Sequence, residues 1–367
     1  MRFPEFCGEW KDCSIQDYGE VVTGNTPPTS HAEYYENGTY LWASPADLGI
    51  NKNITETKTK LSLSGFKKTK NIPKGSVLVT CIGSTIGKMG MATETMASNQ
   101  QINSIVVNDK SNCDFVYYAI CRAFPRYLAE VGVQAVPILS KSNFEKLPNY
   151  TTCREEQDKI GYFLNLLDER IATQNKIIED LKKLKSAIAE SLFKTIKGDI
   201  IALSEICDIV KGKQINGEFL SESGRYYVMN GGTEPSGFYD NYNVEANTIS
   251  ISEGGNSCGY VQFNTAPFWS GGHCYTIQEI TNNVENMYLY HYLKSKEDTI
   301  MQLRIGSGLP NIQKKDLAKF KVIVPVIERQ KTISVFLSLL ERKAEIETEI
   351  LIAMQSEKQY LLRQMFI

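Results

Sequence analysis

No stretch of this sequence holds eighteen consecutive apolar residues, so no segment is expected to cross a membrane as a helix. Its beginning, MRFPEFCGEWKDC, has neither the apolar region of a secretory signal nor the arginine bias of a transit peptide, and the expected location is the cytoplasm. Nine cysteines are scattered without a C-x-x-C pair, which argues against a disulfide framework and against a zinc site. Histidine is scarce. His31, His273 and His291 fall at no metal-ligand spacing, so no metal or cofactor is expected. Net charge is also nearly absent, at −2. Residues 1–150 carry 15 basic and 14 acidic side chains, and residues 198–325 carry 10 and 14. Because affinity for a polyanion comes largely from phosphate neutralisation, a nucleic acid would need a local basic face or basic partners. The hexapeptide Gly83–Lys88, GSTIGK, is not a nucleotide-binding loop. It is one residue short between its glycines and lacks the hydroxyl residue after its lysine.

What the sequence does have is a forty-residue heptad pattern from Arg154 to Phe193. Ile160, Leu164, Leu167, Ile171, Gln174, Ile178, Leu181, Lys185, Ile188 and Leu192 alternate at steps of four and three, the seam of a coiled coil. The spacing predicts one helix about 60 Å long at 1.5 Å per residue. Thr152 and Glu155 offer a capping box at its start, and Gly198 a terminator just past its end. Displacing the sequence by 173 residues lays Ile327–Phe366 over this helix without a gap, with identities that include Glu155/Glu328, Gln157/Gln330, Ile160/Ile333, Leu164/Leu337 and Lys185/Lys358. The second seam runs Ile333, Leu337, Leu340, Ala344, Glu347, Leu351, Met354, Lys358, Leu361, Met365. An internal duplication of this kind fixes the architecture before any other reading.

Connectivity then makes the two helices antiparallel, with a globular segment at either end. Pairing polar seam residues with one another would face Lys185 with Glu347 and Gln174 with Lys358. The globular segments are duplicated as well. IPKGSVLVTCIGSTIGKMG aligns at an offset of 172 with VEANTISISEGGNSCGYVQ, bringing Val77 over Ile249, Gly83 over Gly255 and Gly87 over Gly259. Val22 and Gly24 correspond to Val210 and Gly212, and Pro137 falls on Pro310 in a later loop. HAEYYENGTYLWASPADLG has no clear counterpart in FLSESGRYYVMNGGTEPSGFYDNYN. A lysine-rich loop with Lys58, Lys60, Lys67, Lys68, Lys70 and Lys74 exists in the first half alone. Tyr117 and Tyr118 are read as helix core. The expected fold class is α+β: two tandem, mostly β domains with short helices at 1–150 and 198–325, separated by coiled-coil helices at 151–197 and 326–367, with a pseudo-twofold internal repeat.

The order of segment, long helix, segment, long helix, the E-x-Q-x-x-I starts of both helices and the IPKGSVLV strand together resemble the specificity subunit of Type I restriction-modification systems. That resemblance implies two target recognition domains, each reading one half of a bipartite double-stranded DNA target, with the coiled coil setting the unread spacer. It implies partners as well: two methyltransferase subunits docked on the coil, and restriction and translocase subunits in the larger complex. It implies no catalysis by this chain, which carries no N-P-P-[FY] or D-P-P-[FY] amine pocket, no S-adenosylmethionine glycine loop, no Walker sequence and no PD-(D/E)xK cluster. Polar loop residues suited to base edges are Asn25, Thr26, Lys67, Lys68, Ser84, Asn99, Gln100 and Gln101 in the first half. In the second they are Lys213, Gln214, Asn230, Asn256, Ser257, His273 and Asn311. For each of these a turn or core hydrogen bond is an equal alternative. A different class of function fits the acidic second half and its aromatic residues: a non-enzymatic two-headed coiled-coil scaffold for protein or glycan partners.

Overall fold

The computed structural model describes residues 2–131, 138–306 and 310–366, so Pro137 and residues 307–309 of the aligned loop lie outside the described residues. The chain divides into two compact units: residues 1–175 with 349–367, and residues 176–348. Both long helices form, at Arg154–Thr195 and Ile327–Met365. All twenty seam positions are buried or half-buried, as the heptad spacing requires.

In each unit the two helix segments run antiparallel, and the ion pairs between them repeat the duplication. In the first unit Lys358 of the second helix bonds Asp168 of the first. In the second unit Lys185 of the first helix bonds Glu341 of the second at 2.7 Å. Adding 173 to Asp168 gives Glu341 and to Lys185 gives Lys358, so these are two copies of one contact. A tyrosine hydroxyl joins each carboxylate: Tyr118 donates to Asp168 at 2.5 Å and Tyr290 to Glu341 at 3.1 Å. The register expected from the polar seam residues is therefore displaced by six positions on the partner helix. Glu347 bonds Lys343 of its own helix instead. Aromatic locks at the helix ends hold the observed register. Phe366 packs against Phe115 and Trp10, with ring centroids 5.2 and 5.8 Å away, while Phe193 packs against Tyr292 and Tyr288 at 5.2 and 5.8 Å. The side chains of Lys358 and Asp168 are only 19% and 20% exposed, so this pair is screened less than a surface pair. A double-mutant cycle with Lys358→Met and Asp168→Asn, followed by urea unfolding, is expected to give a coupling of about 1 kcal/mol; a coupling near zero would reduce the contact to surface decoration.

The recurring glutamine near each helix start proves to be a clamp. Gln157 is 2% exposed and Gln330 is 0% exposed. Gln157 accepts from the Asn112 backbone N–H at 2.9 Å and donates to the Thr152 carbonyl at 2.8 Å. Gln330 accepts from the Glu285 N–H and donates to the carbonyls of Pro325 and Asn283, all at 2.8 Å. Each ties a long helix to the start of the globular helix of its unit, Cys113–Val131 or Asn286–Ser295. The expected capping box is replaced by a bond from Thr152 to Glu156, one residue later than anticipated. Arg2 fixes that carboxylate from the other side with two bonds of 2.6 and 2.7 Å. Gly198 is needed for close approach rather than for a left-handed cap, because a Cβ there would lie 2.5 Å from the Val324 backbone.

The globular parts share one plan. A two-stranded sheet pairs Lys11–Ser14 with Pro148–Thr151, and its copy pairs Asp199–Ala202 with Lys321–Val324. A short helix then leads into the first strand of the main sheet, Gly19–Thr23 or Asp208–Lys211. In that sheet Val77 faces Ile105 as Ile249 faces Ile277, preserving the 172-residue offset. Gly83, Gly87, Gly255 and Gly259 all have φ between 76° and 94°, where a side chain is strained, so the glycines recur for backbone reasons. The segments without a clear counterpart in sequence do have one in space. Tyr40–Ala43 pairs in parallel with Met96–Ser98, and Tyr226–Met229 pairs in parallel with Trp269–Ser270. Tyr118 is fully buried and Tyr117 half-buried, both on a core-facing helix.

Candidate nucleic-acid interface

In the first unit three loops are laced together by hydrogen bonds. Gly24 enters because only a residue without Cβ fits there; a Cβ would lie 2.2 Å from the Ser98 carbonyl oxygen. Asn25 then donates its backbone N–H to that carbonyl at 2.9 Å. Its side chain bridges the lysine loop, donating to the Lys68 carbonyl at 2.9 Å and accepting from the Lys70 N–H at 2.8 Å. Thr26 donates to the Gln100 side chain at 2.6 Å, and the Asn99 and Gln101 side chains are bonded at 3.1 Å. The structure thus brings Asn25, Thr26, Lys67, Lys68, Asn99, Gln100 and Gln101 into one hydrogen-bonded patch and divides their tasks. Asn25 and Asn99, the latter 7% exposed, build the frame. Thr26, Lys67, Lys68 and Gln100 are presented to solvent, Ser84 is exposed in the turn between Gly83 and Gly87, and Gln101 is half-buried. Of the lysine-rich loop, Lys60 is paired with Glu56 at 2.9 Å. Lys58, Lys67, Lys68, Lys70 and Lys74 are exposed and form no ion pair among the described residues, which leaves them available to phosphates.

The second unit repeats this frame with different presented groups. A Cβ on Gly212 would lie 2.2 Å from the Gly271 carbonyl oxygen, and Lys213 donates its N–H to Ser270 at 2.8 Å, as Asn25 does to Ser98. The Asn230 carboxamide accepts from the His273 N–H at 3.1 Å, which makes Asn230 a frame residue. Asn311 forms backbone bridges with Gly254 and Ile305, setting its loop beside the turn that exposes Asn256. Ser257 is half-buried in that turn, while Lys213, Gln214, His273 and Asn311 are exposed. Lys213, Gln214, Asn230 and His273 lie around the two glycines Gly271 and Gly272, and Gln214 Oε1 would meet a Cβ on Gly272 at 2.5 Å.

Two kinds of residue escaped the sequence reading. Trp42 donates its indole N–H to the Asn25 carbonyl at 3.1 Å, and Trp269 donates to the Lys213 carbonyl at 2.9 Å. The two tryptophans stand on different strands of the frame yet satisfy the equivalent carbonyl, so alignment could not pair them. Glu253 is the other. It is 6% exposed, and its Oε1 accepts from Lys211 at 2.6 Å and from the Tyr275 hydroxyl at 3.0 Å, while His273 Nδ1 lies 3.8 Å from Oε2. Burial first, and then the bond to Glu253, push the Tyr275 hydroxyl far above its ordinary pKa, so it stays a donor. An acidic side chain on the edge of an acidic domain gives no signal in sequence; its significance comes from the loops that close over it.

The family model described as "Type I restriction modification DNA specificity domain" matches this chain twice, over residues 8–183 and 198–355. The Type I restriction enzyme HindI specificity subunit of Haemophilus influenzae is 29% identical over 214 residues, covering 57% of this chain and 41% of that protein. The chain thus spans less than half the length of that relative. A putative type I specificity subunit of Mycoplasma genitalium is 23% identical over 303 residues, covering 78% of this chain and 79% of that protein. The crystal structure of the Type I restriction-modification system S subunit from M. genitalium has the same fold, with a TM-score of 0.67, 21% identity and coverage of 98% of this chain and 96% of that one.

Proposed function

The chain belongs to the Type I restriction modification DNA specificity family, and from that premise we propose that it is the DNA-reading, non-catalytic subunit of a cytoplasmic restriction-modification complex. Residues 1–150 and 198–325 are the two target recognition domains, and residues 151–197 and 326–367 are the spacer helices. The observation that carries this reading is the repeated frame with unlike contents. The glycine, the tryptophan-bonded carbonyl and the parallel strand pair recur, whereas Thr26, Lys67, Lys68 and Gln100 in one patch give way to Lys213, Gln214 and His273 in the other. A fixed frame with variable donors and acceptors suits two different half-sites read by direct contacts.

The methyltransferase subunits dock on the helices, and the support is again the repeat. Leu166 and Leu339 are identical copies, as are Ile177 and Ile350, yet all four are at least 41% exposed. The seam does not use them, so their recurrence points to one partner bound twice. Restriction and translocase subunits join through that assembly.

The test is co-expression of this chain with its methyltransferase partner in a methylation-free host, followed by genome-wide mapping of methylated bases. Methylation at a two-part motif with a fixed spacer is expected. Lys213→Ala with Gln214→Ala should relax one half-site by about ten- to a hundredfold, in keeping with 1–3 kcal/mol per base contact, and leave the other half unchanged. A methylome indifferent to this chain, or a variant that relaxes both halves alike, overturns the reading.

A further inference from the structure

Away from both loop patches, the first unit holds a cavity of about 180 Å³ lined by Trp10, Arg122, Arg126, Asn149, Tyr150 and Phe366, with no carboxylate in its wall. Asn149 is 5% exposed, and its Oδ1 accepts the Tyr150 N–H at 2.9 Å. That bond fixes the amide orientation and leaves Nδ2 buried with no hydrogen-bond partner. Arg122 and Arg126 stand one helical turn apart. Arg126 donates to the Pro148 carbonyl at 3.1 Å, and neither guanidinium enters an ion pair among the described residues. The Trp10 indole N–H is likewise buried without a hydrogen-bond partner. Burial raises the pKa of the Glu156 carboxyl, and the bonds from Arg2 and Thr152 outweigh it and lower it.

A buried amide donor without an acceptor is costly, and two guanidiniums without a carboxylate partner beside it leave a wall that offers donors and positive charge. The fold does not demand this. The position equivalent to Asn149 in the second unit is Val322, and residues 286–301 there contain no arginine. We propose that the cavity binds one small oxyanion, inorganic phosphate or a carboxylate of similar size, through Arg122, Arg126 and the Asn149 Nδ2. The volume lies below the roughly 300 Å³ at which sites for drug-sized ligands begin, so a nucleotide is excluded. The bound anion joins the helix Cys113–Val131, the strand Pro148–Thr151 and the Phe366 end of the second long helix within this unit.

Inorganic phosphate titrated calorimetrically into the full chain, at ionic strength held constant with sodium chloride, tests the site. Saturable one-to-one binding is expected, weakened at least tenfold by Asn149→Val and abolished by Arg122→Gln with Arg126→Gln. The thermal midpoint should rise with phosphate in the wild type and stay fixed in the arginine variant. If Asn149→Val fails to fold, the exposed arginines still decide the matter. Absence of saturable binding, or equal binding by wild type and variants (an adventitious ion only), overturns the proposal. So does a loss of duplex affinity in the arginine variant without any binding of free phosphate, which would assign these groups to a DNA backbone. The DNA-reading role stands or falls separately, on the methylome.

Discussion

Replacing Gln330 by leucine is expected to destabilise the protein by about 3–5 kcal/mol, more than any exchange on the recognition loops. The side chain is 0% exposed and makes three hydrogen bonds of 2.8 Å to backbone groups on two separate segments. Leucine fills much of the volume but leaves the Glu285 N–H and the carbonyls of Asn283 and Pro325 without their partner. Each buried backbone group so stranded costs about 1–3 kcal/mol, partly relieved by local shifts. Glutamate at this position separates packing from polarity: it can still accept from Glu285 but faces two carbonyl oxygens with a carboxylate. Gln330→Glu should therefore be destabilised at neutral pH and recover as the pH falls and the carboxyl becomes a donor. Gln157→Leu should show the same sign in the first unit, where the bonded groups are Asn112 N–H and the Thr152 carbonyl. Urea denaturation followed by circular dichroism measures both. A loss below about 1 kcal/mol for Gln330→Leu would mean that water reaches these groups readily and that the repeated glutamine is not a structural clamp.

That clamp shows how the sequence can announce a residue without announcing its task. Gln157 and Gln330 were visible as identities at a 173-residue offset, but the N–H groups they accept from lie 45 residues away and are backbone atoms, which carry no sequence signal. The long helices were legible because heptad spacing is local and survives at every turn. The coil register was not. A repeating seam tolerates many displacements, and pairing polar seam residues with each other chose the wrong one. Lys185 instead reaches Glu341, beside the seam, because Tyr290 and the Phe193 contacts hold that register. The strand Tyr226–Met229 was hidden for a related reason. Its equivalence to Tyr40–Ala43 rests on parallel pairing with a strand about 40 residues further on, a non-local feature that side-chain identity does not record. Among the loop candidates, residue type separated polar from apolar but could not separate frame from presented surface. Asn25 and Asn230 are as polar as Gln100 and Gln214, and only the fold shows that their amides are already committed.

The second large effect is a dependence on acid. His291 is 2% exposed, and its Nε2 lies 2.9 Å from the Ser338 hydroxyl on the second long helix. Its pKa is lowered to about 4, by burial first and then by Lys185, with Glu341 opposing them. The unfolded chain, with a histidine near pH 6.5, binds a proton that the folded chain refuses between these two values. Stability is therefore full above about pH 6.5 and is lost as the pH falls toward 4, by about 2–3 kcal/mol at pH 4.5. Carboxylates titrate in the same range, so the informative quantity is the difference from a variant. Asn at 291 can keep a hydrogen bond to Ser338 without a titrating ring. His291→Asn is expected to be less stable than wild type at pH 7 and to lose about 2–3 kcal/mol less on going to pH 4.5. The groups facing the imidazole make the effect self-reinforcing. Lys185 bonds Glu341, and Tyr290 donates to the same carboxylate, so a protonated His291 would compete with both for one anion in a site that excludes water. Unfolding curves that shift equally with pH in wild type and His291→Asn would show that the ring is solvated or already charged. The same result would remove the reason for keeping the only fully enclosed histidine of this chain next to a lysine.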